Sequence, residues 1–134
     1  MYIQKSMITE KIDTMRMLRN QKIQISKKEE ENVHPQKNDL SEIPAIYEKF
    51  KEVCNKNCKD NKSIFIVIVV FLYCPVSFVD NYICGKGVRK SIAKVLGLSN
   101  SSISVYFSNA KSLILNHRGF RKEVERVFNL LAGE

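Results

Sequence analysis

Eleven consecutive residues, Ile64-Phe-Ile-Val-Ile-Val-Val-Phe-Leu-Tyr-Cys74, carry no charged side chain, and the run closes at Pro75. A segment this apolar has no face to offer water, so the rest of the molecule must surround it. Its β-branched residues suit a buried strand. A bilayer would also cover it, but a spanning helix needs roughly 17–25 apolar residues. Extension to Val79 still gives only 16 residues, with Pro75 and Ser77 inside. The context favours a third solution, a central helix packed on all sides, because helical patterns flank the run and no partner strand is evident. No membrane insertion is expected.

The flanks support an all-α chain. Its 134 residues include only 5 Gly, 3 Pro and no Trp, which favours helices over a turn-rich β fold. Upstream, Ser41 is placed to cap a helix whose first turn holds Glu42 and Pro44. Ile46, Phe50 and Val53 mark its apolar face, and the pattern runs to about Asn57. The polar stretch Cys58–Ser63 then interrupts it. Residues 76–85 read as a connection or short helix. A last helix is expected from about Phe120 to Leu131, with Phe120, Val124, Val127, Phe128 and Leu131 facing inward.

Between these lies Ile92-Ala93-x-x-Leu96-Gly97-Leu98-Ser99-x-x-x-Ile103-x-x-x-Phe107. Ile92 and Leu96 stand one turn apart and face inward. Ala93 is small where a second helix must cross closely. Gly97 can end the first helix in the left-handed conformation. Leu98 plugs the turn, and Ser99 can cap the next helix. Ile103, Phe107, Ala110 and Ile114 recur at steps of three and four, giving that helix one buried face. These spacings define a helix-turn-helix.

Charge concentrates on the same part of the chain. The chain carries a net charge of +8. Residues 81–134 hold 9 basic and 3 acidic side chains, net +6, against 13 and 11 in residues 1–80, net +2. From Asn81 to Lys122 there is no Asp or Glu, whereas Lys86, Arg89, Lys90, Lys94, Lys111, Arg118, Arg121 and Lys122 all fall there. A cationic surface free of acidic groups is the footprint expected of phosphate binding.

Residues 88–115 resemble the C-terminal helix-turn-helix of sigma factors and of LuxR-type regulators, which share the Ile-Ala-x-x-Leu-Gly-x-Ser turn and an apolar-spaced second helix. Ser108-Asn109-Ala110 also stands in a familiar place. The resemblance covers about a fifth of the chain. It implies a helical DNA-binding module whose second helix, residues 99–115, enters the major groove.

This chain departs from those relatives on the exposed face of that helix. They usually carry Lys, Arg, Thr or His there; this chain offers Asn100, Ser101, Ser102, Ser104, Val105 and Ser108. Asn can pair with adenine, and Ser with bases or phosphates. No Arg near the helix start is available to grip guanine. The expected base-facing set is Ser99, Asn100, Ser101, Ser104 and Ser108. Lys86, Arg89, Lys90, Lys94 and Lys111 are expected on the phosphate backbone. Arg118, Arg121 and Lys122 either contact phosphate or form a solvated helix face.

Cys54, Cys58, Cys74 and Cys84 lack the two tight ligand pairs of a zinc site and imply neither metal nor disulfide framework. Cys54 and Cys58 are expected on one helical face. Gly85-Lys86-Gly87 lacks the third glycine of a nucleotide loop. No nucleophile–base set is suggested by spacing, so no catalysis and no cofactor is expected. His117 reads as a surface residue near a helix end.

Residues 1–40 read as an arm and polar linker preceding a domain at 41–134. Ile8, Ile12, Met15 and Leu18 form a short amphipathic pattern within residues 8–22, suited to a homodimer or a larger assembly. The polar run 26–42 reads as a linker. No signal-peptide core follows Met1, so a cytoplasmic protein is expected. The Lys-, Asn- and Ile-rich composition fits an A·T-rich bacterial, phage or mobile-element genome. Two functions follow: a DNA-binding transcriptional regulator, or a structural adaptor, such as a minor phage-particle component, using the same scaffold for protein or non-specific nucleic-acid contacts.

Overall fold

A computed structural model describes residues 37–78, 83 and 87–131. The amphipathic segment 8–22, Lys86 and Cys84 lie outside the described residues. The described part is an all-α bundle with no strand among its described residues: α1 (Ile43–Val53), α2 (Asn61–Tyr73), α3 (Val88–Leu96), α4 (Asn100–Asn116) and α5 (Arg118–Leu131).

The apolar run is the centre of this bundle. α2 packs against each of the other four helices, and every residue from Ser63 to Tyr73 is buried. This explains why its sequence shows no polar stripe: no direction around the helix leads to water. Among the described residues, no helix is long and apolar enough to cross a membrane.

Aromatic rings join α2 to its neighbours at both ends. Phe65, in its first half, meets Tyr47 at 4.9 Å and Phe50 at 5.3 Å, both from α1. Phe71, in its second half, stacks on Phe78 at 4.4 Å. Phe78 closes a single 3-10 turn, Pro75–Phe78, in the stretch expected to be a connection or short helix.

The start of the bundle differs from expectation in its cap. Ser41 is not the N-cap. Asp39 accepts the Ser41 backbone N–H at 3.0 Å and its hydroxyl at 2.6 Å, capping a 3-10 turn over Leu40–Glu42 that leads into α1. These hydrogen bonds hold the Asp39 carboxyl below its ordinary range. Residues just before the turn also dock: Lys37 N–H donates to Leu72 C=O at 2.9 Å, and the Tyr73 hydroxyl donates to Asp39 C=O at 2.8 Å. Burial is the main cause that pushes the Tyr73 phenol up to about 12, with the nearby Glu42 and Asp39 adding to it.

Two helix boundaries also move. α1 stops at Val53, not near Asn57, because Cys54 turns to an extended conformation. The Asn55 side chain then accepts Asn57 N–H at 3.0 Å, a local bond that competes with helix continuation. Cys54 and Cys58 therefore lie in the loop after α1 and not on one helical face. α5 begins at Arg118, two residues early, because His117 Nδ1 accepts Phe120 N–H at 3.0 Å and so serves as its cap.

Candidate nucleic-acid interface

The α3–turn–α4 unit is built on backbone constraints readable residue by residue. Gly97 sits at φ 70°, in the left-handed region that penalises a Cβ. Its N–H and, at 3.0 Å, that of Leu98 both donate to Ala93 C=O, closing the end of α3. Ser99 caps α4, accepting Ser102 N–H at 3.1 Å, and its hydroxyl also meets that of Ser102 at 3.0 Å. Gly87, at φ 78°, opens α3 in the left-handed conformation, and a Cβ there would lie 2.9 Å from Leu40 Cδ1. The start of the unit is thus fitted against the docked segment before α1.

α4 is seated on the core through Ile103, Phe107, Ala110, Ile114 and Leu115, all buried. Phe107 meets Phe78 edge-on at 5.1 Å and 72°, and Phe78 stacks on Phe71. This aromatic relay couples the orientation of α4 to the central helix. The opposite face of α4 is open: Ser101, Val105, Ser108, Asn109 and Ser112 are exposed, as is Asn100 at the start of the helix, while Ser102 and Ser104 are half-buried. None of these side chains is charged.

The cations expected around this face divide into groups. Lys90 and Lys94, one turn apart on α3, are exposed, and among the described residues no carboxylate pairs with either. Arg89 is also exposed, but its Nη1 donates to Ser104 Oγ at 3.0 Å, tying α3 to α4. That tether takes up part of the five-donor capacity of its guanidinium. Lys111 is half-buried and engaged within the fold. On α5, Arg118 and Lys122 are exposed, whereas Arg121 lies 4.0 Å from Glu125.

Carboxylates of α5 are occupied by their own helix. Arg126 pairs with Glu123 at 2.6 Å, and this hydrogen bond is the main cause lowering the Glu123 carboxyl and raising the Arg126 guanidinium. Arg126 also donates to Val53 C=O at 3.2 Å, fastening α5 to the end of α1.

The structure therefore brings Asn100, Ser101, Ser104 and Ser108 to α4, while Arg89, Lys90 and Lys94 lie on α3, which packs against α4 and which Arg89 ties to Ser104. Ser99 is already used as a cap, so a base contact from its hydroxyl competes with that bond. Asn109 and Val105 belong to the exposed face but not to the set expected to touch bases. Helical spacing was the available signal for both: positions 101, 105, 108, 109 and 112 fall on the side away from 103, 107, 110 and 114. Among the described residues, no three His, Cys, Asp or Glu side chains gather where they could hold a metal ion. Comparison with family models, curated proteins and solved structures finds no match to this chain.

Proposed function

We propose that this chain is a small DNA-binding protein that regulates transcription by laying α4 in the major groove. The observation that carries the reading is the pairing of a seated helix that has an open polar face with exposed cations on the helix packed against it. Lys90 and Lys94 are exposed on α3, which packs against α4, and the open face of α4 has hydroxyl and amide groups and no carboxylate. Phosphate contacts from such lysines would set register, leaving the short side chains of α4 to meet base edges. Arg89 serves this arrangement chiefly by holding Ser104 and thereby the spacing of α3 and α4. The helix-turn-helix resemblance of residues 88–115 supports the same class. In this reading the protein works in the cytoplasm, and segment 8–22 pairs two copies or meets a larger assembly.

Purified chain titrated with random-sequence duplex at several salt concentrations tests the proposal. Lys90→Glu with Lys94→Glu should weaken binding to every sequence. The salt slope should become shallower by about one for each phosphate that no longer meets a lysine. Equal affinity and slope in wild type and variant would remove this surface from the interface.

The uncharged face of α4 favours a second reading, an adaptor that packs on nucleic acid or protein without reading sequence. Sequencing of the bound duplexes separates the two. An enriched motif supports the regulator, whereas salt-sensitive binding without enrichment supports the adaptor.

A further inference from the structure

Val105 stands in the middle of the open face of α4 with 61% of its surface exposed, and it is one of two large apolar side chains so exposed among the described residues. An exposed β-branched residue in a helix loses side-chain freedom and gains no packing in return. Its neighbours on that face are polar: Ser101 one turn before it, Ser108 and Asn109 one turn after. The face is therefore not an apolar patch seeking an apolar partner. It is a single branched hydrocarbon group framed by hydroxyls and an amide, with Lys90 and Lys94 exposed on the adjoining helix.

That combination matches one feature of the major groove. Thymine is the base whose major-groove edge carries a methyl group, and its partner adenine presents an acceptor and a donor that an Asn amide can satisfy together. We infer that Val105 is a specificity-determining residue that packs on a thymine 5-methyl group, with Asn109, one turn further on, placed for the adenine edge. The inference rests on the DNA-binding reading and deepens it. It commits α4 to A·T pairs without any arginine, and charge complementarity with phosphate supplies the general attraction.

The test replaces thymine by deoxyuridine, which removes the methyl group and leaves base pairing intact. Duplexes bound from a random thymine-containing pool are recopied with deoxyuridine, and both forms are titrated with wild type and with Val105→Ala. Burial of one methyl group predicts a loss of about fourfold per contacted thymine for wild type. Val105→Ala, which keeps one methyl group, should bind the thymine duplex more weakly and show a smaller preference for it over the deoxyuridine form. Because Val105 is exposed, the variant should melt no lower than wild type, which separates this loss from unfolding. Equal wild-type affinity for the two forms, or an undiminished preference in Val105→Ala, overturns the role of Val105 while leaving DNA binding standing. Absence of binding to any duplex at low salt overturns both.

Discussion

α2 and α4 are neighbours in one bundle and have opposite relations to water. α2 is buried all round and presents Ile, Val, Phe and Leu in every direction. α4 is longer and buries one face only, through Ile103, Phe107, Ala110, Ile114 and Leu115. A helix whose surface is fully used in packing can contribute stability but has nothing left with which to recognise a partner. α4 divides the tasks between its faces. The inner face orients it through Phe107, Phe78 and Phe71. The outer face is left with groups that add little to stability and are free to be chosen by what they touch.

The largest effect that could break this comparison is a cavity in α2. Phe71→Ala should cost about 3–5 kcal/mol, read as a lower urea midpoint. Val105→Ala, its counterpart on the open face of α4, should change stability by no more than about 0.5 kcal/mol, with the sign set by the higher helix propensity of Ala. Similar losses from both substitutions would contradict the division between the helices.

The glycines that bound α3 come next. Gly97→Ala places a Cβ in the left-handed region with no neighbour within 4 Å, so backbone strain alone sets its cost, about 1 kcal/mol. Gly87→Ala meets the same strain and also requires the tip of the Leu40 side chain to shift, so it should lower the melting temperature at least as much. Equal losses would mean that Leu40 yields freely; a smaller loss for Gly87→Ala would mean that the left-handed conformation at the start of α3 is not required.

Tyr73 gives the comparison a pH dependence at the end of α2. The phenol titrates at about 12 in the fold against an ordinary 10. Its contribution is full below pH 10. As pH rises from about 10 to about 12, the unfolded chain loses the phenolic proton first, and stability falls. The part of the alkaline destabilisation due to this group should be missing in Tyr73→Phe. Identical pH profiles for wild type and variant would show that burial does not disfavour the phenolate.

Ser99→Ala should cost about 1 kcal/mol or less, because one helix cap is removed at an exposed turn. Thermal melts and DNA titration of this variant sharpen the role of the residue. A stability loss with unchanged affinity would make Ser99 a cap alone; a larger loss of affinity than the melt explains would restore it to the base-facing set.

Much of this architecture was legible locally. The spacing of Ile92, Gly97, Ser99, Ile103 and Phe107 marked two helices and their turn, because a left-handed glycine and a serine cap act within a few residues of themselves. The helix stop at Val53 was harder to see, because Asn55 competes with the helix through a bond to Asn57 that the apolar pattern does not register. The start of α5 was hidden for a similar reason: His117 performs a capping task usually given to Ser, Thr, Asp or Asn.

By itself, the sequence determined that the run Ile64–Cys74 had to be enclosed, that residues 88–115 form two helices around a tight turn, and that positive charge gathers there without carboxylates. These follow from hydropathy, spacing and charge, which belong to the chain before it folds. Tertiary structure decided which cations remain open. Arg89 is tethered to Ser104 and Lys111 is drawn into the fold, while Lys90 and Lys94 keep their exposure. It also decided that Phe78 would connect α2 to α4. Such outcomes depend on which side chains distant elements bring together, and no local pattern carries that information.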